Sequence, residues 1–489
     1  MMSRWTRPLI LCVVLLTAAV LAADAVVSIS SGFYLNFSSG VWLALARDTY
    51  AGVFYRPLWN GVEYGGTRYF PTLFVAIAAL MRGGVPPVAA AVTVSMLGLA
   101  AMVAAVFVLL KRLSVSSPLA MLGAALSAAP YFVHQTGFAV RCEPIAAAFA
   151  ISGLAVLTPI EKRPDSMRRE LFAAALFSCA FITKMTCVYG PAAATLALLF
   201  AGRRWAAARV AALTTVGIVL VVAFVDLASD GRAIESFRAC ALAGSTLSTL
   251  LSAAAVTRTV QLIGVSHLLT VVFLLAVLAL IAAVRARQPL PALYFLTATA
   301  VTAVIFTSPG TTMTSHIVDA YVAAIVLTTA TIAAQTGTLR FVGTAALMIV
   351  TVWAAAQNVV LVAGMIEQGV VRERQEGRRQ LVATLEDCGG SILAESPLIP
   401  ILVNHRPVVL DPFGFRVVAV NNPDVVRDLT ARLQRREFTC VVLEHDPTVP
   451  AGYGWYANVN FGESVRDTLL QTYKYDGTVG GERFYRPVK

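Results

Sequence analysis

A hydrocarbon core about 30 Å thick is crossed by roughly 20 helical residues, and this sequence meets that requirement repeatedly. Pro8 to Ile29 is the first apolar run. Others follow at 87–110, 118–134, 144–160, 171–184, 188–201, 208–227, 262–284, 290–307, 317–335 and 341–363. Hydrophobic residues make up 58% of the chain and charged residues 13%, with a mean hydropathy of +0.74. A soluble domain carries roughly 25% charge, because its surface must be covered with polar groups. The expectation is a polytopic α-helical membrane protein with about eleven transmembrane helices.

The net charge of +11 is spread as short basic clusters between the apolar runs. They are Arg4/Arg7, Lys111/Arg112, Lys162/Arg163/Arg168/Arg169, Arg203/Arg204/Arg209, Arg285/Arg287 and Arg340. Such clusters mark cytoplasmic loops beside anionic lipid, not a nucleic-acid surface. The cysteines have no metal-ligand spacing, although Cys388 and Cys440 could meet as a disulfide near the C-terminus.

Leu21-Ala22-Ala23-Asp24 has the character of a signal-peptidase site. An uncleaved first span is preferred, because the later spans alternate correctly with it in place. Residues 30–86 then read as a long outer loop with two interface-lying helices, around Val41–Ala46 and Phe70–Met81. The short pair 171–184 and 188–201 reads as a hairpin that crosses and returns. This topology puts every basic cluster in the cytoplasm and the end of the last span outside.

Residues 1–369 are thus expected to form the transmembrane domain and 370–489 a small extracytoplasmic α/β domain. In the latter, Ser391–Ala394 and Thr439–Leu443 read as buried strands and Asp424–Arg436 as a helix. Tyr473–Tyr475 and Arg483–Tyr485 read as a hairpin around Gly477 and Gly480-Gly481.

Ionisable groups at membrane depth are costly and need a reason. Those outside the cytoplasmic loops gather at the outer face. They are Asp48, Arg56, Glu63 and Arg68 in the first loop, then Arg141, Glu143, Lys184, His316 and Asp319, with His316 following Ser308-Pro309-Gly310. Tyr50, Tyr55, Tyr64 and Tyr69 accompany them. A carboxylate there could serve as a general base, and arginine or lysine could hold a phosphate. Taken singly, most outer-loop charges are solvated or paired. Lys184, interrupting Phe181-Ile182-Thr183 and Met185-Thr186-Cys187, and Glu143, opening an apolar helix beside Arg141, stand out. An Arg141–Glu143 ion pair is the structural alternative.

Three stretches resemble the GT-C superfamily of membrane glycosyltransferases, in the branch with aminoarabinose transferase and the protein O-mannosyltransferases. They are Gly40–Asp48 through Gly52 with Tyr69-Phe70-Pro71, Phe138–Pro144, and Phe181-Ile182-Thr183-Lys184 with Pro191 and Arg203-Arg204. The resemblance spans residues 8–205. It implies a sugar donor linked to a polyprenyl phosphate and inverting transfer to an acceptor on the outer face. Catalytic roles would fall to Asp48 and Glu143, and substrate binding to Arg68, Tyr69, Arg141, Lys184, His316 and Asp319. No cofactor is fixed by the sequence, and a divalent cation is compatible with these carboxylates.

One departure matters. Where the family carries a catalytic carboxylate, this chain has Asn36-Phe37-Ser38-Ser39-Gly40. Either Asp48 or Glu143 takes the base role, or the chain is a non-catalytic relative in cell-envelope glycan assembly. Asn36-Phe37-Ser38 also fits a glycosylation sequon, which its position beside a span argues against. A transporter would put its polar groups near the midplane, usually with internal repeats, and neither is present. The setting implied is a bacterial inner (plasma) membrane, with glycan, lipid or protein as acceptor and no nucleic acid partner.

Overall fold

The structure, a computed structural model, describes residues 6–158, 166–241, 253–264, 266–286, 289–306 and 314–488. Lys162, Arg163 and the Ser308-Pro309-Gly310 turn lie outside the described residues. A helix stands at each expected apolar run. Six are long and apolar enough to cross a membrane, with a seventh if the bent pair Tyr131–Phe138 and Glu143–Leu157 counts as one span. The protein is an integral membrane protein, mostly helical, with a small C-terminal sheet.

Small residues let the helices approach closely, as membrane interfaces favour. A Cβ on Gly98 would lie 2.3 Å from Ile145, so helices Pro87–Arg112 and Glu143–Leu157 meet there. A Cβ on Gly153 would lie 2.5 Å from Phe177, where Glu143–Leu157 meets Met167–Thr183. Ser315–Ala334 is the central segment, 83% buried over its apolar window against 17% for Arg204–Ala228, which faces outward. Helix Thr6–Ser31 runs unbroken through Leu21–Asp24. Inside it, Asp24 accepts from Ser28 and Tyr34, and its Oδ2 lies 2.6 Å from His134 Nδ1.

The expected span 118–134 is interrupted. Helix Ser117–Ala128 stops before Pro130, which has no amide hydrogen with which to continue the helical ladder. The carbonyls freed there are taken by other helices: Tyr321 donates to Leu126 O at 2.7 Å and Asn358 to Ala129 O at 2.5 Å. Tyr131–Phe138 then follows, bent 103° from Glu143–Leu157.

The first-loop helices are Phe37–Tyr50 and Thr72–Arg82. Phe37–Tyr50 is largely buried against its protein neighbours. Its Gly40 abuts the backbone of Leu398, where a Cβ would meet Leu398 N at 2.3 Å.

Gly369, in the left-handed region, separates helix Gly337–Glu367 from Val370–Cys388. A four-stranded sheet follows in the order β1-β2-β4-β3, with β1 Ile392–Ala394, β2 Cys440–Leu443, β3 Tyr473–Val479 and β4 Glu482–Pro487. β1 and β2 are parallel, and β4 is antiparallel to both its neighbours. The expected helix runs Pro423–Gln434. Cys388 and Cys440 form a disulfide with a Cα separation of 6.0 Å. Tyr64 of the first loop bridges Val409 in parallel, so loop and sheet region share one hydrophobic cluster.

Candidate active site

The non-helical link 139–142 lies between the two bent helices, and its amides are met by side chains. Val140 N donates to Ser39 Oγ at 3.4 Å and Arg141 N to Ser95 Oγ at 3.2 Å. Ser39 has a second task, because Asn36 and Ser39 form a capping box at the start of Phe37–Tyr50. The stretch without a carboxylate is therefore a helix start that also pins the Arg141–Glu143 segment. Arg141 and Glu143 are both buried, and Glu143 Oε2 lies 3.9 Å from Cys142 Sγ.

Met167–Thr183 ends at Lys184, which leaves the ammonium among buried groups. Lys184 Nζ donates to Asp319 Oδ2 at 2.8 Å, and Tyr189 OH donates to Asp319 Oδ1 at 2.8 Å. Glu143 is close enough to add to the field at Lys184. The charges of Lys184, Arg141 and Arg68 together bear on His316.

Arg68, on the same loop as Tyr69, keeps an exposed surface. Burial works against its charge, but Tyr69 and Asp411 outweigh that and hold its guanidinium above the usual value. Its guanidinium carbon sits 4.2 Å from the Phe413 ring centroid, within cation–π range. Burial pushes the Tyr69 phenol up.

The structure therefore brings together Arg68, Tyr69, Arg141, Glu143, Lys184, His316 and Asp319. Asp48 is engaged elsewhere. Arg56 grips both its oxygens, one at 3.0 Å, and Arg406 Nε reaches Oδ1 at 2.8 Å. Arg406 also reaches Glu63 at 3.0 Å, and Arg56 donates to Pro407 O at 2.7 Å. These contacts make Asp48 part of a clamp joining the first loop to the C-terminal region.

Sequence reading missed Asp411 and Tyr189. Asp411 precedes Pro412 and reads as an ordinary helix start, and Tyr189 lies in an apolar run. Neither carries a local signal of chemistry.

The expected divalent cation finds no cluster of three ligands here among the described residues. Glu395, Glu444 and His445 lie close enough to hold one in the C-terminal region. Glu395, however, already accepts from Trp455, Tyr456, Asn460 and the Glu444 amide. Those four donors occupy the lone-pair sites of a carboxylate. Glu395 is a structural hub.

A cavity of about 600 Å³ runs along Val14, Leu21, Leu99, Val103, Phe107 and Phe138. Its lining is almost wholly apolar and suits a hydrocarbon chain.

A helical bundle, buried first-loop helices, an α/β region docked on that loop and a charged cluster near the seam make up a fold similar to that of solved GT-C membrane glycosyltransferases. The chain is similar to ArnT from Cupriavidus metallidurans bound to undecaprenyl phosphate, at 14% identity and a TM-score of 0.60 over 96% of this chain and 98% of that one. It is also similar to the archaeal oligosaccharyltransferase AglB from Archaeoglobus fulgidus, solved with an inhibitory peptide and a dolichol-phosphate. There the identity is 11% and the TM-score 0.56, over 97% of this chain and 74% of that one. No family model and no curated protein sequence matches the chain.

Proposed function

We propose that the protein is a membrane glycosyltransferase, moving a sugar from a polyprenyl-phosphate-linked donor to an acceptor at the outer face of the membrane. The observation that carries this reading is the gathering of Arg68 with the buried Arg141 and Lys184 around His316. Cations concentrated in a low-dielectric cavity suit a phosphate that gains charge as its bond to the sugar breaks. The similarity to structures solved with undecaprenyl phosphate and dolichol-phosphate supports a lipid-borne donor.

In this reading Glu143 takes the proton of the acceptor hydroxyl. The oxygen attacks the anomeric carbon from the face opposite the phosphate, and the bond to the lipid phosphate breaks, its electron pair leaving with the phosphate. Configuration inverts. Asp319 keeps Lys184 charged and aimed, and Tyr69 lines the sugar side. The same reading takes eleven spans, a transmembrane domain over 1–369, and an extracytoplasmic domain over 370–489 on a bacterial inner membrane.

The test is sugar transfer from lipid-linked donors in membranes with matched expression. Glu143→Gln keeps the side chain's size but removes most of its proton affinity, and should cost about 10²–10⁴-fold in rate. Transfer unchanged by Glu143→Gln rejects that base. A parent inactive with a broad donor panel favours the non-catalytic relative, which the carboxylate-free 36–40 stretch would fit. Ser39→Asp is then the rescue to attempt.

A further inference from the structure

The first loop and the C-terminal region are joined in register. Tyr64 N donates to Val408 O at 2.8 Å, and Leu410 N donates to Tyr64 O at 3.0 Å. Both strands then run the same way. The chain after Tyr64 and the chain after Leu410 therefore run on side by side, and Arg68 and Asp411 come within each other's field.

Asp411 is buried, and its Oδ2 has no hydrogen-bond partner among the described residues. The backbone has made room for it: a Cβ on Gly414 would lie 3.0 Å from that oxygen. A helix-capping role is the ordinary reading of an Asp before Pro412, yet its side chain makes no capping hydrogen bond. A buried carboxylate oxygen without a donor is costly, and the cation whose field reaches it is Arg68. Burial raises the Asp411 carboxyl, and Arg68 and the nearby amides of Gly414 and Phe413 only partly offset this.

We infer that Asp411 is a positioning residue, through which the C-terminal region holds the Arg68 guanidinium toward the donor phosphate. Phe413 flanks Arg68 on its ring side, so charge and shape are supplied from the same turn. The C-terminal region thus completes the phosphate site.

This inference rests on the glycosyltransferase reading. The experiment is a double-mutant cycle on the full-length protein in detergent, titrated with undecaprenyl phosphate, with transfer assayed alongside. Asp411→Asn and Arg68→Gln should each weaken lipid-phosphate binding about 10-fold, and the double variant should be no worse than either, as expected for directly coupled groups. Asp411→Glu should recover part of the loss, which a merely structural role would not predict. If Asp411→Asn fails to fold, Asp411→Glu in the parent and Arg68→Gln backgrounds decides: an equal effect in both overturns the inference. Additive losses, or an Asp411→Asn that binds like the parent, also overturn it, while parental transfer keeps the enzyme reading. A parent that neither binds the lipid nor transfers sugar overturns both.

Discussion

Lys184 Nζ lies 2.8 Å from Asp319 Oδ2, tying the end of one helix to the start of the central one across 135 positions of sequence. Both groups are buried. Removing one partner of such a pair leaves an uncompensated charge and costs about 3–5 kcal/mol. Lys184→Met and Asp319→Asn should each lower the melting temperature in detergent. The double variant should regain much of that stability, because no bare charge remains. It should not regain donor binding, for which the ammonium is needed. Recovery of binding in the double variant would make the pair purely structural.

The clamp at Asp48 makes a graded prediction. Arg56 is almost wholly buried, whereas the Arg406 side chain is 41% exposed. Arg56→Met should therefore destabilise by about 3–5 kcal/mol, and Arg406→Ala by about 1 kcal/mol or less. Melting curves and limited proteolysis near Asn404–Arg406 would measure both. Equal effects would mean that the clamp is not organised around the buried arginine.

How far the sequence foretold this arrangement depends on the range of each signal. The helices were legible because apolar length is a local property, and the C-terminal strands because short apolar runs stand between turns. Lys184 was legible as a charge inside an apolar run. The break after Ala128 was also written in the chain, at Pro130, but the apolar count ran across it. Asp48 and Asp411 were not legible. Asp411 depends on Arg68 and Asp48 on Arg406 as well as the nearby Arg56; each distant partner lies more than 300 residues away in sequence, across the Tyr64–Val409 bridge that sets the register. Nothing local distinguishes a carboxylate that meets two arginines from one that meets water.

The C-terminal region carries a pH dependence. Glu482 is pushed up from 4.5 to about 7 by burial and by Glu395, and Glu444 is raised too, chiefly by burial. A carboxyl raised in the folded state contributes stability that is fully present below its unfolded value and lost as pH rises through the folded one. Stability should thus fall between pH 4.5 and about 7, by up to about 3 kcal/mol for this one group. Glu482→Gln should flatten that fall, seen in hydrogen exchange along β4. A difference between parent and variant that does not vary with pH would rule the assignment out.

The disulfide gives a test of topology as well as stability. Cys388 and Cys440 are 52 residues apart, and closing a loop of that size stabilises by about 4 kcal/mol in the chain-entropy account. Cys388→Ser should lower the melting point of the C-terminal region markedly. Disulfides persist in oxidising compartments and are rare in the cytosol, so the pairing agrees with an outer location for residues 370–489. A reporter fused after Lys489 should behave as exported. In protein taken from membranes without reductant, a thiol-reactive tag should modify Cys388 and Cys440 only after reduction. Cytoplasmic reporter activity, with both thiols free before reduction, would turn the C-terminal region inward. The phosphate site proposed against it would then face the wrong side of the membrane for an exported sugar.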